Sequence, residues 1–473
     1  MKTIKKFFIV LLTAMLLLSS MGITAFAQQM TEQQAIPTMT TGSQAPFKGS
    51  YTFTQNDVIS KGKGVVIPLN FSNVGIAYFD FTTLNVNNKY INAELYSDTA
   101  LSERVGSMYI GNAESKSANV HIAKAGVYYL ALYVTSSDAF TATVDISASL
   151  YRTAQLTMKN GEYLARPGYN SAVTESVNKI TLTAKGYVTV YSSADIYAKL
   201  LDSKKNEIRN QITLNEKNNR RVTYRLSKGT YYVVTKTYNN APYKIKYAYA
   251  SSFGSLTAGK YKSVFSDGKS SYYMAFKATK NGYIKVAGNP MSGYVTLLDS
   301  KQKAISDECY ISSTSSSSYM KTALFGVQKG KTYYIKFRPN ATGKQNIKVT
   351  ITGVSDVSGA SKAKAKTIKK KTTYKGTITA GSSVQDWYKL KTTKKGTFKL
   401  RITGRASGNG SVVIQVIPAS SKVKIYGDTV RRYNSSTETA EYTIKNLPAG
   451  TYYVRVYRGS AKSSGYYTIN WTA

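Results

Sequence analysis

The chain of 473 residues contains only one cysteine and one histidine. Cys309 cannot form an intramolecular disulfide, and the acids Asp307 and Glu308 beside it disfavour a reactive thiolate. His121 lies in the strand-like segment Asn119-Val120-His121-Ile122, which favours a surface position over a catalytic one. A typical zinc site needs three or four nitrogen or sulfur ligands. We therefore expect no catalytic Ser-His-Asp or Cys-His group, no metal site and no cofactor.

Acidic residues are also scarce, with 24 Asp and Glu against 64 Lys and Arg. Asp307-Glu308 is the one adjacent acidic pair in the basic part of the chain, and neighbours on a strand point to opposite faces. Such a pair does not suit the two carboxylates of a glycosidase. The sequence also lacks a phosphate loop, a dinucleotide-binding fingerprint and an EF-hand pattern. We expect a protein that is not an enzyme, and an unrecognised hydrolase is the least favoured interpretation.

Long apolar runs are absent after the first 27 residues. Residues 1–27 read as a secretory signal peptide, with three early lysines, an apolar run over Phe7–Leu18 and the cleavage signal Ala25-Phe26-Ala27. The run is too short for a membrane span, which needs about 20 residues. No cysteine follows the cleavage signal and no apolar tail ends the chain, so we expect neither a lipid anchor nor a sorting anchor. Export without disulfides favours a secreted, surface-associated bacterial protein.

What the chain does contain is a repeat built on paired tyrosines. The pair follows a turn glycine at four places: Gly126-Val127-Tyr128-Tyr129, Gly229-Thr230-Tyr231-Tyr232, Gly330-Lys331-Thr332-Tyr333-Tyr334 and Gly450-Thr451-Tyr452-Tyr453. The steps between pairs are 103, 102 and 119 residues. This spacing is too long for a solenoid repeat and matches one β-sandwich domain. We expect the glycine to allow a tight turn, one tyrosine to pack inward and its neighbour to face out.

The periodicity between these markers is strand-like, since apolar and polar residues alternate and turn residues recur every 8–12 positions. We therefore predict an all-β protein, a tandem array of four antiparallel, jelly-roll-like β-sandwich modules after the signal peptide. The predicted boundaries are a flexible lead-in over 28–47, module one over 48–151, module two over 152–252, module three over 253–354, a basic linker over 355–371 and module four over 372–473.

Module four resembles a bacterial pre-peptidase C-terminal domain. The resemblance rests on the front segment Asp386-Trp387-Tyr388-Lys389-Leu390 and on Leu447-Pro448-Ala449-Gly450-Thr451-Tyr452-Tyr453 with the following strand. It is moderate in modules one and three and weakest at the front of module two. It implies a jelly-roll-like sandwich that accompanies secreted enzymes, mainly peptidases, and often binds insoluble polymers. Relatives that bind calcium use clustered acids, which this chain does not have.

The formal charge of +40 is unevenly distributed. Residues 28–151 carry a net charge of −2, whereas residues 152–252, 253–355 and 356–473 carry +11, +11 and +17. This excess goes beyond the net charge of about 2–8 that keeps a small domain soluble. Together with outward tyrosines it gives the candidate ligand-binding residues Arg220, Arg221, Arg225, Lys369, Lys370, Lys371, Arg431, Arg432, Tyr453 and Tyr457. Solvated loops and ordinary sheet tyrosines are the simpler explanation for any single one of them.

These features predict a secreted, non-catalytic protein that attaches to a polyanionic or carbohydrate polymer at the bacterial surface or in the extracellular matrix. The expected partners are cell-wall polymer, acidic glycan or mucin-type polysaccharide. The export signal favours them over nucleic acid. The alternative is a protein-interaction scaffold, or an accessory subunit that docks a secreted enzyme through the neutral first module.

Overall fold

The computed structural model describes residues 38–40, 47–52, 65–84, 91–111, 115–134, 143–152, 156–169, 175–290, 292–313, 321–407, 410–419, 426–431 and 437–473. The predicted signal peptide lies outside them. Secondary structure in these ranges consists of strands and two single-turn 3-10 helices, Glu216–Asn218 and Lys362–Lys364. None of the helices found there is long and apolar enough to span a membrane. The predicted all-β class is confirmed.

Module one forms a sandwich of two sheets. Its nine strands are β1 (Thr38–Met39), β2 (Phe47–Thr52), β3 (Val65–Phe71), β4 (Gly75–Leu84), β5 (Ile91–Tyr96), β6 (Arg104–Gly111), β7 (Ser115–Ile122), β8 (Gly126–Val134) and β9 (Thr143–Tyr151). The first sheet has the order β1-β3-β8-β5-β6 and the second has the order β2-β9-β4-β7. Alternating apolar side chains from both sheets, among them Leu69, Phe79, Leu130 and Ile146, form one core between them.

Module two contains β10 (Leu156–Thr157), β11 (Leu164–Arg166), β12 (Ser176–Leu182), β13 (Gly186–Ser192), β14 (Ile196–Leu201), β15 (Glu207–Leu214), β16 (Arg221–Leu226), β17 (Gly229–Lys236) and β18 (Tyr243–Ala250). Its first sheet, β10-β12-β17-β14-β15, repeats the order of the first sheet in module one. Its other strands pair as β11 with β18 and as β13 with β16.

Module three contains β19 (Tyr261–Asp267), β20 (Tyr272–Lys277), β21 (Gly282–Gly288), β22 (Ser292–Leu298), β23 (Cys309–Ser312), β24 (Ala323–Val327), β25 (Thr332–Pro339) and β26 (Thr342–Gly353). Its first sheet is β20-β25-β22-β23 and its second sheet is β19-β26-β21-β24. A parallel bridge between Ser255 and Ala275 takes the place of the short leading strand. Cys309 is fully buried in the core of this module, as a structural rather than reactive thiol requires.

Module four contains β27 (Lys366–Thr367), β28 (Tyr374–Ile378), β29 (Asp386–Thr392), β30 (Gly396–Ala406), β31 (Ser411–Pro418), β32 (Tyr426–Arg431), β33 (Glu438–Leu447), β34 (Gly450–Arg458) and β35 (Gly465–Thr472). Its sheets have the orders β27-β29-β34-β31-β32 and β28-β35-β30-β33. Strand for strand, this is the connectivity of module one. The four copies of the tyrosine pair therefore occupy the same strand of the same topology.

Two short strands lie inside segments that the sequence predicts to be connections. Thr38–Met39, inside the predicted flexible lead-in, pairs in parallel with β3, and Met39 is fully buried. Lys366–Thr367, inside the predicted basic linker, pairs in parallel with β29, and the next residue, Ile368, is 1% exposed. The partner strands, β3 in module one and β29 in module four, occupy the same place in the two sheets. Met39 and Ile368 thus add buried apolar side chains to modules one and four, and the flexible lead-in and the linker do not include these residues.

The described chain divides into two compact units. The first unit comprises the described residues up to Thr181 together with Ser192–Thr213 and Thr230–Tyr247. The second unit comprises Leu182–Tyr191, Leu214–Gly229 and Ala248–Ala473. Within the second unit, β13, β16, β19, β26, β21 and β24 follow one another in a single sheet. The strands of modules two and three in this sheet join through a parallel pairing at Thr223 and Ser266. Gly326 of β24 likewise forms a parallel bridge with Thr379 of module four.

The paired tyrosines divide as predicted in three of the four modules. Tyr128, Tyr333 and Tyr452 are buried, and the tyrosine after each of them is only partly buried. The inward phenols also bind backbone a few residues upstream: Tyr128 donates to the Lys124 carbonyl (2.9 Å), Tyr452 donates to the Pro448 carbonyl (2.8 Å), and Tyr333 accepts from the Gln328 N–H (3.0 Å). This is the arrangement of a tyrosine corner, which fixes the turn to the strand that follows.

The bridge between modules three and four depends on a glycine. A Cβ atom at position 326 would lie 2.2 Å from the carbonyl oxygen of Ile378, which is backbone and cannot rotate away. We predict that Gly326→Ala destabilises the second unit by about 1–3 kcal/mol, as overpacking in a tight contact does. Chemical unfolding followed by tyrosine fluorescence measures the effect.

Gly396→Ala is the matched control, because a Cβ atom at position 396 has nothing within 4 Å. It removes the same backbone freedom without the clash. Equal stability of the two variants would contradict the assigned role of Gly326.

Candidate binding face on the first sheets

The outer face of the first sheet in module four carries aromatic and basic side chains. On β34 the residues Tyr452, Val454 and Val456 point into the core, so the residues between them point out. Register places Trp387 of β29 opposite Arg455, and Lys389 opposite Tyr453. We call the resulting surface the module-four face; it comprises Trp387, Lys389, Lys391, Tyr453, Arg455 and Tyr457.

Arg455 is at the centre of this face. Its guanidinium carbon lies 4.0 Å from the ring centroid of Tyr457 and 5.9 Å from that of Trp387, which are cation–π distances. Among the described residues, no hydrogen bond or ion pair involves its guanidinium group, and the buried Nε has no partner. The aromatic rings hold the cation in place. The buried Nε is inaccessible, so a ligand would bind the terminal NH2 groups of the guanidinium.

The 3-10 helix before β27 extends the module-four face. The Nζ atom of Lys362 lies 5.1 Å from the ring centroid of Tyr453. None of the six face residues is acidic, so the positive charge of this surface is not offset within it. A planar aromatic surface with uncompensated cations suits an anionic ligand that also has apolar faces.

The corresponding surface of module three is built in the same way. It comprises Tyr273, Tyr294, Tyr310, Tyr334, Lys336 and Arg338, and we call it the module-three face. The guanidinium of Arg338 lies 4.2 Å from the ring centroid of Tyr294, which contacts Tyr310 edge to face at 5.1 Å. Glu308 pairs with Arg338 (2.9 Å) and approaches Lys336 (3.9 Å), so part of the charge is compensated.

A cleft of about 410 Å³ lies at one end of the module-three face. Its basic residues are Lys185 and Arg225, and its aromatic residues are Tyr187, Tyr273 and Tyr334. The guanidinium of Arg225 stacks on Tyr273 at 4.2 Å, and the Tyr187 phenol accepts the Tyr273 N–H at 3.0 Å. Burial raises the pKa of Tyr187, while the Tyr273 N–H and the Arg225 guanidinium oppose that rise. The net rise keeps the phenol of Tyr187 neutral at neutral pH.

The other two modules differ at this position. In module two, Lys236 lies 5.7 Å from the ring of Tyr197 and 5.6 Å from that of Tyr238. In module one, the nearly buried Glu94 accepts from Arg104 at 2.7 Å and binds the Tyr96 phenol. On this sheet of module one, Arg104 is therefore paired with a carboxylate, in agreement with the near-neutral charge of the module.

The structure places the predicted site residues in different surroundings. Tyr453 and Tyr457 belong to the module-four face, and Arg225 lines the cleft. Arg220 pairs with Glu216 (3.1 Å), and Arg221 stacks on Phe265 (4.4 Å), so neither contributes to these surfaces. Lys369, Lys370 and Lys371 are exposed before β28, where the ammonium group of Lys370 contacts the Ala473 carbonyl. Arg432 lies outside the described residues, and only the backbone of Arg431, in β32, is described.

Several members of the faces did not figure among the predicted site residues. Trp387, Lys389 and Arg455 are the clearest cases. Arg455 alternates with Tyr453 and Tyr457, so the strand period alone places it on their face. Trp387 and Lys389 need the pairing of β29 with β34, which the sequence does not reveal.

No protein-family model matches the chain, and neither does any curated protein. Among solved structures, the CUB1-EGF-CUB2 domain of human MASP-1/3 is 7% identical and matches over 45% of this chain and 99% of its own, with a TM-score of 0.16. The CBM22-1-CBM22-2 tandem domain of Paenibacillus barcinonensis Xyn10C is 8% identical, over 42% and 82%, with a TM-score of 0.15. Clostridium perfringens ZmpB, the M60 catalytic domain with CBM51-1 and CBM51-2, is 10% identical, over 85% and 55%, with a TM-score of 0.14. Similarities this low support no inference about function.

The described ranges contain no group of three or more His, Cys, Asp or Glu side chains that could hold a metal ion. His121 is exposed on β7, as its sequence context predicts.

A buried acid lies directly beneath the module-four face. Asp386 precedes Trp387 and is 5% exposed; it accepts from the Tyr467 phenol (2.6 Å) and from the Ser358 hydroxyl (3.0 Å). Burial, and to a lesser extent the charge of Asp356, raise the pKa of Asp386 to about 7. Below about pH 7, the carboxyl group of Asp386 is therefore mostly protonated in the folded protein.

We predict that this acid makes the second unit less stable as pH rises from about 4 to about 7. Because the folded pKa lies above the unfolded value of about 3.9, the folded state binds more protons in this window, and stability falls with pH. The loss is on the order of 4 kcal/mol at most. Asp386→Asn keeps a neutral hydrogen-bonding group and should flatten the profile measured by urea unfolding. Parallel profiles for the two proteins would contradict the assignment.

Proposed function

We propose that this protein is a secreted, non-catalytic binding protein that attaches to an acidic polysaccharide at the bacterial surface or in the extracellular matrix. The observation that carries the proposal is Arg455, a cation held between Tyr457 and Trp387 with uncommitted donors in the described structure. The resemblance of module four to pre-peptidase C-terminal domains agrees with this role and remains a prediction.

The chemistry of the module-four face matches such a polymer. Sugar rings have apolar C–H faces that pack on tyrosine and tryptophan rings. Carboxylate, sulfate or phosphate groups on the same polymer accept bidentate hydrogen bonds from arginine and charge-assisted bonds from lysine. Few other extracellular polymers offer flat apolar faces and anionic groups in a regular alternation.

Repetition of the face strengthens attachment. Modules three and four each present one face, and the three modules from residue 152 onward carry a net charge of +39. Once one face is bound, the other meets the same polymer at a high effective concentration. Long-range attraction from the net charge also raises the association rate. Weak individual sites therefore suffice for firm attachment.

The alternative, docking of a secreted enzyme or another protein, is favoured by one observation. Module one pairs Arg104 with Glu94, whereas no described acid pairs with Arg455 in module four, so the surface of module one suits a polyanion less well. A pull-down from a culture supernatant with the full protein, with and without competing polyanion, separates the two roles. A protein captured equally in both cases would support docking through a surface that the polymer does not use.

The proposal predicts binding to polygalacturonate, a polymer of carboxylated sugars, that weakens steeply with salt. We expect Arg455→Gln to weaken this binding about tenfold or more, since charge-assisted hydrogen bonds contribute roughly 1.5–3 kcal/mol. Biolayer interferometry on immobilised polymer, at low and high salt, measures both effects.

Arg401→Gln is the matched control, because Arg401 is an exposed arginine of β30 in the second sheet of the same module. It removes the same charge from another face and should change binding less than about threefold. Equal losses in the two variants would reduce the effect to net charge and overturn the assigned face. Binding that does not change with salt would overturn the electrostatic basis of the proposal.

A further inference from the structure

We infer that the cleft beside Arg225 is a subsite for one carboxylate-bearing sugar residue of the bound polymer. This inference rests on the proposed function, because it assigns the class of sugar that the polymer must contain. The cleft lies within the second unit, where modules two and three join.

The first argument is charge. Arg225 and Lys185 both line the cleft, and none of the described residues that line it is acidic. Within the described structure no ion pair neutralises either side chain. An anion that enters the cleft therefore meets two cations without displacing a carboxylate, whereas a neutral sugar would gain nothing from them.

The second argument is preorganisation. The Arg225 guanidinium stacks on Tyr273 at 4.2 Å, and the backbone N–H of Arg225 donates to the Ser270 hydroxyl oxygen at 2.9 Å. Ser270 in turn donates to Asp267 at 2.7 Å. Strand and side chain are thus fixed before a ligand arrives, so little freedom is lost when the fork of the guanidinium binds a carboxylate.

The third argument is the rest of the lining. Tyr187, Tyr273 and Tyr334 supply aromatic rings, while Ser251, Ser255 and Gln302 supply groups that hydrogen-bond sugar hydroxyls. The volume of about 410 Å³ lies at the small end of the range for ligand pockets, roughly 300–1,000 Å³. A site of this size suits one or two sugar rings and excludes a folded protein segment.

The fourth argument is continuity with the module-three face. Tyr273 and Tyr334 belong to both surfaces, and Tyr273 lies opposite Lys336 in the register of β20 and β25. A chain that runs along the face therefore reaches the cleft at one end. The cleft then selects the sugar, whereas the faces provide attachment.

Binding of methyl galacturonoside, a single carboxylated sugar, to the full secreted chain tests this inference by NMR titration or calorimetry. We expect saturable binding to the wild type, at least tenfold weaker binding to Arg225→Gln, and binding to Arg220→Gln within about threefold of the wild type. Arg220 is the matched control because it lies on the same module and pairs with Glu216 away from the cleft. Thermal unfolding of the variants verifies that each remains folded.

Methyl galactoside and galactose 6-sulfate complete the experiment. Equal binding of the neutral galactoside, or preference for the sulfated sugar, would overturn the assignment to a carboxylate. No binding of the uronoside at its solubility limit, or no difference between Arg225→Gln and Arg220→Gln, would overturn the site itself. Polymer binding by the wild type in any of these cases leaves the proposed function standing. Uronoside binding without polymer binding would overturn the proposed function and leave the cleft as a site for a free uronic acid.

Discussion

The edge-to-edge pairing of second sheets is the interaction on which the described architecture of the second unit depends. An exposed edge strand presents unpaired backbone groups that invite aggregation, so it has to be covered. Here β16 of module two pairs in parallel with β19 of module three, and Gly326 of β24 bridges Thr379 of the next module. The second sheets are thereby committed to holding the modules together. The outer faces of the first sheets remain for a ligand, and they carry the aromatic residues with unpaired or stacked cations.

In module four, a single strand serves the structure and, under the proposed function, also the binding of ligand. In β34 the inward Tyr452 bonds to Pro448 and fixes the turn, while the outward Tyr453, Arg455 and Tyr457 form the centre of the module-four face. The strand period of two separates these roles residue by residue. Substitution on the outward positions can therefore change the ligand without loss of the fold. Arg455 of module four corresponds to Ala131 of module one, which lies opposite Glu94, so the outward residues do differ between repeats.

Much of the fold could be predicted from the sequence, because the glycine-tyrosine marker recurs at the length of a sandwich and the strands alternate clearly. Arg225, Tyr453 and Tyr457 could be chosen from charge and periodicity. The short strands Thr38–Met39 and Lys366–Thr367 could not be predicted, because a strand of two residues shows no periodicity. The strand Lys366–Thr367 also lies in a lysine-rich run. The place of Trp387 depends on the pairing of β29 with β34, and the raised pKa of Asp386 depends on its burial and on Asp356. These contacts are distant in sequence.

Hydroxyl-radical footprinting of tyrosines, with and without polygalacturonate, tests most directly whether the first-sheet faces bind polymer. The account predicts protection of Tyr294, Tyr453 and Tyr457 at low salt, and its loss at high salt. Tyr261 is the internal reference, because it is 58% exposed on β19 of the second sheet, and Lys348 lies 5.1 Å from its ring. Protection of Tyr261 equal to that of the face tyrosines would contradict the account.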